Sequence, residues 1–443
     1  MGPARIHNKV FGEVVVFKYL SKSGGVRCAL AAVACVLGAA VNFAHAQSTT
    51  TLSVQAQVGQ QLFFDTNLSV SKQMSCASCH NPNNHYAPTN ALSVQLGGPN
   101  LATPGFRAVP SLAYKYLTPA YSDNATNPDG VSANAPGGGF TWDGRANTLA
   151  EQVAIPLLSS FEMANTSQAA VVQVVQNASY AALFQQAYGT NVFSNTATAF
   201  TDIGLALQQY QIEDPSFHPF TSKYDYAVLI ELSNGKPVTL TAAENRGYNV
   251  YLNPNGGNCF ACHYNGPMTG GGGALFTDFT FQAIGAPRNV AIPANVTRPG
   301  FPPTYYDLGL CTAQNPTTPH TLPADAQYCG MFKVPTLRNV ATRQVFFHNG
   351  VFTSLAQLIN FYNTRDTNPT AWYPTTNGVA QKFNDLPAAY HPNVDTTDIP
   401  FGLAQGATPY MSAQDMADLQ CFLETLVDGY VAGVTPQDSN CVN

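Results

Sequence analysis

Two five-residue segments of the chain each bring together two thiols and an imidazole. They read CASCH at 76–80 and CFACH at 259–263. The spacing C-x-x-C-H is typical of covalent haem attachment, in which the thiols add to the haem vinyl groups and the histidine binds the iron. A redox-active thiol pair or half of a zinc site are the alternatives, but neither segment has the partner pair that zinc needs. The sequence therefore predicts two covalently bound haem c groups, held by Cys76, Cys79, His80, Cys259, Cys262 and His263.

The amino-terminal segment has the three parts of a secretory signal peptide. Basic residues precede the apolar run CALAAVACVLGAAVNFA, and Ala44-His45-Ala46 follows it. Such an order is typical of a cleaved export signal. A membrane anchor is the alternative, but the run is short for a bilayer core of about 30 Å. Residues 1–46 are therefore predicted to be a signal peptide, which predicts a periplasmic protein with no membrane span after its removal.

Charge and cysteine content limit the possible partners and the compartment. Beyond residue 46 the chain has 14 Lys and Arg against 24 Asp and Glu, and this acidic balance argues against nucleic acid as a partner. Four cysteines lie outside the C-x-x-C-H segments, and an oxidising compartment lets such cysteines pair. Three connectivities are possible, and we favour the one that closes the shortest loops. That connectivity is Cys311–Cys329 with Cys421–Cys441.

The chain shows a weak internal repeat, because a predicted helix and a short turn precede each C-x-x-C-H segment. Thr241 and Glu244 are spaced as a capping box at the start of the second such helix. Turn-forming residues near 234–237 mark a boundary. We therefore predict two cytochrome c-type domains, 47–235 and 236–443, with one haem each. The fold class is mainly α with long loops, including 119–140 and 265–273, and helices are predicted at 148–155, 166–188, 196–212, 354–363 and 412–428.

Residues 140–163 and 332–362 carry the most specific patterns of the two halves. They read FTWDGRANTLAEQVAIPLLSSFEM and FKVPTLRNVATRQVFFHNGVFTSLAQLINFY. Both resemble the bacterial di-haem cytochrome c peroxidases and the related MauG enzymes, which mature methylamine dehydrogenase, in the order and spacing of their motifs. The resemblance extends over nearly all of the chain beyond residue 46. The matching residues include Trp142, Asp143, Gly144, Arg145, Gln152, Pro156, Glu162, Met163, Arg338 and His348.

The resemblance implies that the haem of domain 47–235 is the reactive one and that the haem of domain 236–443 transfers electrons. It also implies roles for several of these residues. In the family the residue at Trp142 lies between the haems and relays electrons, and those at Gln152 and Glu162 line the distal pocket of the reactive haem. Elementary chemistry agrees, since cleaving the O–O bond of peroxide needs an open iron and a group that moves a proton. The alternative for Glu162 is a surface glutamate at a helix start. Cofactor contacts are also implied for Arg145, Arg338 and His348.

Tyr362 distinguishes two branches of the family. It lies fourteen residues after His348, where the peroxidases have a methionine ligand to the second haem and the MauG-like branch has a tyrosine. A phenolate is an anionic, hard donor that favours ferric and higher oxidation states. The alternative is a core tyrosine on the apolar face of its helix, which Ser354 and Gln357 are predicted to start as a capping box. The resemblance favours iron ligands His263 and Tyr362 at the second haem.

The first haem is expected to keep one coordination position open. In many relatives a histidine from the loop after the first motif closes this position, but the loop 81–106 contains only His85, which lies too early. The family's inter-haem calcium is also doubtful here. Ala108 replaces the asparagine ligand that the family supplies, and Arg343 stands where a second ligand segment begins. We therefore predict that Arg343 supplies the charge of the missing ion.

Together these patterns predict an exported, MauG-like di-haem peroxidase. It is expected to use hydrogen peroxide to oxidise an external redox protein or a protein substrate. One alternative is a cytochrome c peroxidase that reduces hydrogen peroxide to water for detoxification. A second alternative is a di-haem electron carrier without chemistry, against which Glu162 in its motif argues.

Overall fold

The computed structural model describes residues 51–130, 132–266, 273–296 and 305–442. The predicted signal peptide, residues 1–46, lies outside the described residues, as does most of the predicted loop 265–273. In the described ranges, no helix combines the length and apolar character needed to cross a membrane.

The described part of the chain is mainly helical, as the sequence predicts, with short 3₁₀ turns and long irregular connections between helices. Its α-helices are α1 (Val54–Phe64), α2 (Cys76–Cys79), α3 (Leu149–Leu158), α4 (Gln168–Gln176), α5 (Ala181–Tyr188), α6 (Thr196–Glu213), α7 (Lys223–Leu229), α8 (Ala242–Leu252), α9 (Leu355–Thr364) and α10 (Ala413–Glu424).

Strands are short and occur as antiparallel pairs, all within the described ranges. One pair lies inside the segment 119–140, which the sequence predicts as loop only. The pairs are β1 (Leu96–Gly97) with β2 (Thr103–Pro104), β3 (Ser122–Ala125) with β4 (Ala135–Gly137), β5 (Leu232–Ser233) with β6 (Lys236–Pro237), β7 (Phe281–Gln282) with β8 (Phe332–Lys333), and β9 (Thr375–Thr376) with β10 (Val379–Ala380).

In the first half, α1 packs against α6. Glycine is required at the crossing, because a Cβ added to Gly59 would lie 2.0 Å from the carbonyl oxygen of Ala206. Close approach lets apolar residues of both helices form one buried cluster with α3 and α4. Cys76 and Ala77 of the first C-x-x-C-H segment pack on the edge of this cluster. The cluster therefore positions the first motif.

The second half repeats this arrangement with α8 and α10. A Cβ added to Gly247 would lie 1.8 Å from the carbonyl oxygen of Asp418, so the two helices again meet at a glycine. Tyr251 and Phe422 lie in the buried cluster that results, and Cys259 packs on its edge. The predicted repeat of a helix followed by C-x-x-C-H thus has a counterpart in the packing of the two halves.

Helix α7 shows how closely the two halves are joined. Its Tyr224 donates a backbone hydrogen bond to the carbonyl of Thr425, 3.1 Å away. The ammonium of Lys223 lies 2.7 Å from the carboxylate of Glu244. A segment assigned by sequence to the first domain thus contacts the second half, and the boundary between residues 235 and 236 stays a prediction.

Most of the predicted local features are confirmed, but two of the predicted helices differ from the structure. The capping box of Thr241 and Glu244 is present, and so are both favoured disulfides, Cys311–Cys329 and Cys421–Cys441. The helix predicted at 166–188 is instead the two helices α4 and α5. The side chain of Asn177 donates to the carbonyl of Gln173 at 2.8 Å, and such side-chain bonds compete with a continuing helix.

The last predicted helix, 412–428, ends earlier, at Glu424. The hydroxyl of Thr425 donates to the carbonyl of Phe422 at 2.6 Å. This bond engages a carbonyl that a further helical turn would have used, so the chain leaves the helix there.

Candidate functional site

The first C-x-x-C-H segment forms the short helix α2. Both of its thiols are free, and burial raises the pKa of Cys76 to about 12 and that of Cys79 to about 11. His80 Nδ1 lies 3.3 Å from the carbonyl oxygen of Tyr86. This contact orients the imidazole and leaves Nε2 for a metal. Burial lowers the pKa of His80 to about 4, which keeps the ring neutral, as a metal ligand must be.

The second segment has the same local design. Cys259 and Cys262 are free thiols, and burial raises the pKa of Cys259 to about 12. His263 Nδ1 lies 3.1 Å from the carbonyl oxygen of Phe276, and burial lowers the pKa of His263 to about 4. A buried hydroxyl, that of Tyr251, donates to the carbonyl of His263. Both segments thus offer two thiols and one neutral, oriented imidazole, which is the residue set that haem c attachment needs.

An internal cavity connects the second segment with residues of the first half. Cys259, Cys262, His263 and Tyr362 line it together with Trp142. Residues predicted from motifs that are far apart in sequence therefore meet at one place. The cavity offers the space and the donors for a haem beside His263.

Tyr362 lies on α9, near the end of the helix. Its ring stacks on Phe401 with a centroid distance of 5.6 Å. Burial raises the pKa of the phenol, the charges of Cys262 and Cys259 raise it further, and Arg365 opposes them. Across the described ranges no protein hydrogen bond is found for its hydroxyl, although a core tyrosine usually has one. This environment fits a residue that points into the cavity better than one that only packs.

The start of α9 differs in one detail from its prediction. Ser354 accepts a hydrogen bond from the backbone nitrogen of Gln357, as a cap should. The amide oxygen of Gln357, however, accepts from the backbone nitrogen of Thr353 at 3.1 Å. The reciprocal bond of the predicted capping box therefore goes to the residue before the cap.

Glu162 lies in the turn that follows α3. Its carbonyl accepts a hydrogen bond from the backbone nitrogen of Gly98 at 2.8 Å. Burial raises the pKa of its carboxyl group, while Ser159 and the charge of Arg145 act in the opposite direction. Burial is the largest cause of the raised pKa of the Cys79 thiol, and the negative charge of Glu162 is the second. The structure thus brings this carboxyl group to the first C-x-x-C-H segment.

Gln152 lies on α3, the helix that precedes the turn containing Glu162. Thr148 caps this helix by accepting a hydrogen bond from the backbone nitrogen of Glu151. The Gln152 side chain is half-buried, and among described residues no hydrogen-bond partner is found for it. Its predicted place in the distal pocket stays a prediction.

Trp142 is held by bonds to both halves of the chain. Its indole nitrogen donates to the carbonyl of Ala108 at 2.7 Å, and its own carbonyl accepts from the backbone nitrogen of Lys333 at 2.9 Å. Ala108 in turn donates its backbone N–H to the carbonyl of His348 at 2.6 Å. These bonds fix the indole at the junction of the two halves, on the wall of the cavity.

Asp143, next to this tryptophan, is fully buried between two arginines. Its carboxylate lies 2.9 Å from the guanidinium of Arg107 and also pairs with Arg145. Burial alone would raise the pKa of Asp143, but the charges of Arg107 and Arg145 hold it well below its usual range. The ion pairs give the W-D-G-R turn a rigid base for Trp142.

The remaining predicted cofactor contacts have protein partners. Arg338 makes two hydrogen bonds of 2.7 Å to the carboxylate of Asp225. The ring of His348 stacks on Phe332 with a centroid distance of 3.5 Å. Arg338 and His348 both line the cavity, whereas Arg145 is committed to Asp143. Their contacts with a cofactor stay predictions.

Sequence reasoning missed two lysines of the cavity wall. Lys115 and Lys333 line it together with Arg343. Burial lowers the pKa of Lys115 to about 8 and that of Arg343 to about 10. The only sequence signal for the lysines is their aromatic and apolar context, AYKYL and MFKVP. His85 lines the same cavity.

Comparison with known proteins agrees with this arrangement. Residues 53–231 match the model of the family described as di-haem cytochrome c peroxidase. The methylamine utilization protein MauG of Paracoccus denitrificans is 34% identical over 314 residues, which cover 70% of this chain and 74% of that protein. This chain belongs to the di-haem cytochrome c peroxidase family. Its members are enzymes, and this di-haem peroxidase is one as well.

Other members of the di-haem peroxidase family are also similar to this chain in sequence or in structure. The cytochrome c551 peroxidase of Nitrosomonas europaea is 28% identical over 304 residues, 69% of this chain and 71% of that protein. The crystal structure of the diheme peroxidase BthA from Burkholderia thailandensis superimposes with a TM-score of 0.73 at 35% identity, covering 87% of this chain and 89% of that one. A MauG-like protein associated with microbial copper homeostasis, at 22% identity and a TM-score of 0.56, shares the fold.

Proposed function

We propose that this protein is an exported, MauG-like di-haem peroxidase that uses hydrogen peroxide to oxidise an external electron donor or a protein substrate. The observation that carries this proposal is the position of Tyr362. Its side chain lines the same cavity as Cys259, Cys262 and His263, and in the described part of the chain its hydroxyl has no protein hydrogen-bond partner. A methionine would be expected here in the cytochrome c-oxidising branch.

Two residue sets would hold the haems. Cys76, Cys79 and His80 form the first set, and the second consists of Cys259, Cys262, His263 and Tyr362. Haem iron, when bound, supplies the redox centre at which the O–O bond of peroxide is cleaved. The protein residues supply attachment, orientation and proton transfer around that centre.

Glu162 is suited to move the proton at the first site. A carboxylate can take a proton from one oxygen of hydrogen peroxide and deliver it to the other, which then leaves as water. Because burial raises the pKa of Glu162, the carboxyl group also holds a proton more readily than an exposed glutamate does. A group with both abilities assists both proton steps.

Trp142 provides a route for electrons between the two sites. Its indole lies on the wall of the cavity that contains His263, and it donates a hydrogen bond to Ala108. Four residues further on, Leu112 donates to the carbonyl of Tyr86, which His80 Nδ1 also contacts. An electron that leaves the second site can be relayed through this ring to the first. An outside reductant, either a redox protein or an oxidisable side chain of a protein substrate, then replaces it.

The raised pKa of Tyr362 bears on its role as a ligand. Burial alone would keep the phenol protonated at neutral pH. A bound ferric ion adds local positive charge, which stabilises a coordinated phenolate in the way that metal ions acidify other ligands. We therefore expect Tyr362 to lose its proton when the second haem is in place.

The substitution Tyr362→Met tests this assignment. We expect the electron paramagnetic resonance and absorption signatures of one haem to change to those of a histidine–methionine pair. Tyr390→Met is the matched control, because Tyr390 packs on the edge of the same hydrophobic cluster. If Tyr362→Met leaves the signatures as unchanged as the control does, Tyr362 is not an iron ligand.

A detoxifying cytochrome c peroxidase is the second candidate, favoured by the similarity to the Nitrosomonas enzyme. Steady-state turnover with reduced cytochrome c separates the two proposals. Fast, saturable oxidation of cytochrome c would support detoxification. Slow oxidation, together with a rapid reaction of the protein with peroxide, would support the MauG-like function.

A further inference from the structure

Two cations, Lys115 and Arg343, lie between the two C-x-x-C-H segments. Both side chains line the cavity of Cys259 and His263. Ala87 lines the same cavity and forms an antiparallel bridge with Asn81, the residue after His80. The two cations therefore lie near the first segment while facing the second.

Neither cation has a carboxylate partner in the described part of the chain. Arg343 donates to the carbonyl of Val109 at 3.0 Å, which is a neutral acceptor. Outside the described ranges the only acidic residue is Glu13, in the predicted signal peptide. The chain itself thus leaves two buried charges without compensation, which is unfavourable unless a ligand supplies it.

Other buried arginines of this protein show what full compensation looks like. Arg107 lies 2.6 Å from the carboxylate of Asp307, and Arg338 lies 2.7 Å from that of Asp225. Arg365 pairs with Asp366 at 2.7 Å. Lys115 and Arg343 differ from these arginines, and they line the cavity beside His263. A haem bound there would bring two propionate carboxylates, which are the kind of group that compensates the other arginines.

We propose that Lys115 and Arg343 form a cation pair that binds haem propionates and takes the place of a divalent metal ion between the two haem sites. This inference rests on the proposed function in one respect, namely that two haems are bound. Charge-assisted hydrogen bonds from lysine and arginine to carboxylates are strong, and arginine can make two at once.

The donors present do not fit the calcium ion that the family resemblance implies. Calcium takes six to eight oxygen ligands. Here Ala108 offers a methyl group, and its carbonyl already accepts from the indole of Trp142. The carbonyl of Val109 accepts from Arg343. Two nearby positive charges would repel the ion in addition, so the position is suited to cations that are part of the chain.

The experiment begins with purified holoprotein that contains two covalent haems, counted by the pyridine haemochrome assay. If haem were absent, the proposed function would fail before the cation pair is tested. The protein is loaded with calcium, dialysed against a chelator and analysed for metal. We expect no retained calcium, and midpoint potentials that are the same with and without the chelator. Stoichiometric calcium that survives dialysis would overturn the inference while leaving the peroxidase proposal intact.

The variants Lys115→Met and Arg343→Met, alone and together, test the charges themselves. Removing positive charge near a haem favours its ferric form, so at least one midpoint potential should shift to lower values. Lys236→Met, at an exposed lysine, is the control for loss of one charge. If the midpoint potentials of the double variant equal those of the Lys236→Met control, the proposal is contradicted. If a variant does not fold, the metal analysis of the unmodified protein still decides whether calcium is bound.

Discussion

The two C-x-x-C-H sites are alike in what holds the haem and differ in what stands near it. Each follows a helix that crosses a longer helix at a glycine, and each has a histidine whose Nδ1 meets a backbone carbonyl. Glu162 lies beside the first site, whereas Tyr362 lines the cavity of the second. We therefore assign attachment to the shared local motif, and we propose that residues contributed by distant segments determine which site reacts with peroxide and which one exchanges electrons.

The largest expected effect comes from Glu162→Gln, which would remove the proton-transfer group of the first site. Loss of a general acid–base residue lowers a rate by about 10²- to 10⁴-fold. We expect a loss of this size in the stopped-flow rate of reaction with hydrogen peroxide, with both haems still attached. The control Glu231→Gln, at an exposed position, should react normally. A variant that reacts as fast as the control would remove the proposed difference between the sites.

The next largest effect is expected from the disulfides, which occur only in the second half among the described residues. Cys421 lies on α10, which packs against α8 ahead of the second site. Replacing Cys421 and Cys441 by alanine should lower the free energy of unfolding by about 3 kcal/mol. In denaturant, the absorbance of the second haem should then change before that of the first.

The other disulfide provides the matched control. Replacing Cys311 and Cys329 by alanine removes a loop of similar length, with a sequence separation of 18 against 20, but it does not touch α10. We expect a similar loss of stability without early loss of the second haem signal. If both pairs affected the second haem equally, the role of α10 in supporting that site would be wrong.

Trp142→Phe tests the connection between the sites. Loss of the indole hydrogen bond to Ala108 should cost about 1 kcal/mol of stability, and the peroxide-induced absorbance change should spread more slowly to the second haem. Trp372→Phe is a close control, since its indole nitrogen also makes one hydrogen bond, to Thr364 at 3.0 Å. Equal spreading rates in both variants would exclude Trp142 as the relay.

The smallest effect is a shift along the pH axis. Because the pKa of Glu162 is raised above its ordinary value of 4.5, its carboxylate becomes protonated at a higher pH than an exposed glutamate does. The protonated form cannot accept a proton from peroxide, so the rate at the first site should fall as the pH falls through this raised pKa. A pH profile that stays flat down to pH 4.5 would show that Glu162 is not the base.

The sequence was sufficient for features that depend on local spacing. The C-x-x-C-H segments, the cap of α8 and the pairing of cysteines over short loops all follow from residues close together in the chain. The split between α4 and α5 was missed, because a side-chain hydrogen bond from Asn177 outweighed a continuous apolar pattern.

Features that depend on contacts between distant segments were less accessible. Arg343 was singled out from a motif, but its companion Lys115 lies in an unrelated segment and has no motif of its own. Helix α7 was assigned to the first half by order along the chain, although its ion pairs are with Glu244 and Arg338. Only the folded structure shows whether a buried charge in one segment is paired with an opposite charge from another segment.

The central claim is that the first site is open and coupled to a second site that holds Tyr362. The most direct test mixes hydrogen peroxide with the fully oxidised holoprotein in a stopped-flow spectrometer, without any reductant. The account predicts a rapid absorbance change that involves both haems and is stable until a donor is added. No reaction until one haem has been reduced by one electron would contradict it and would indicate a first site that must be opened by reduction.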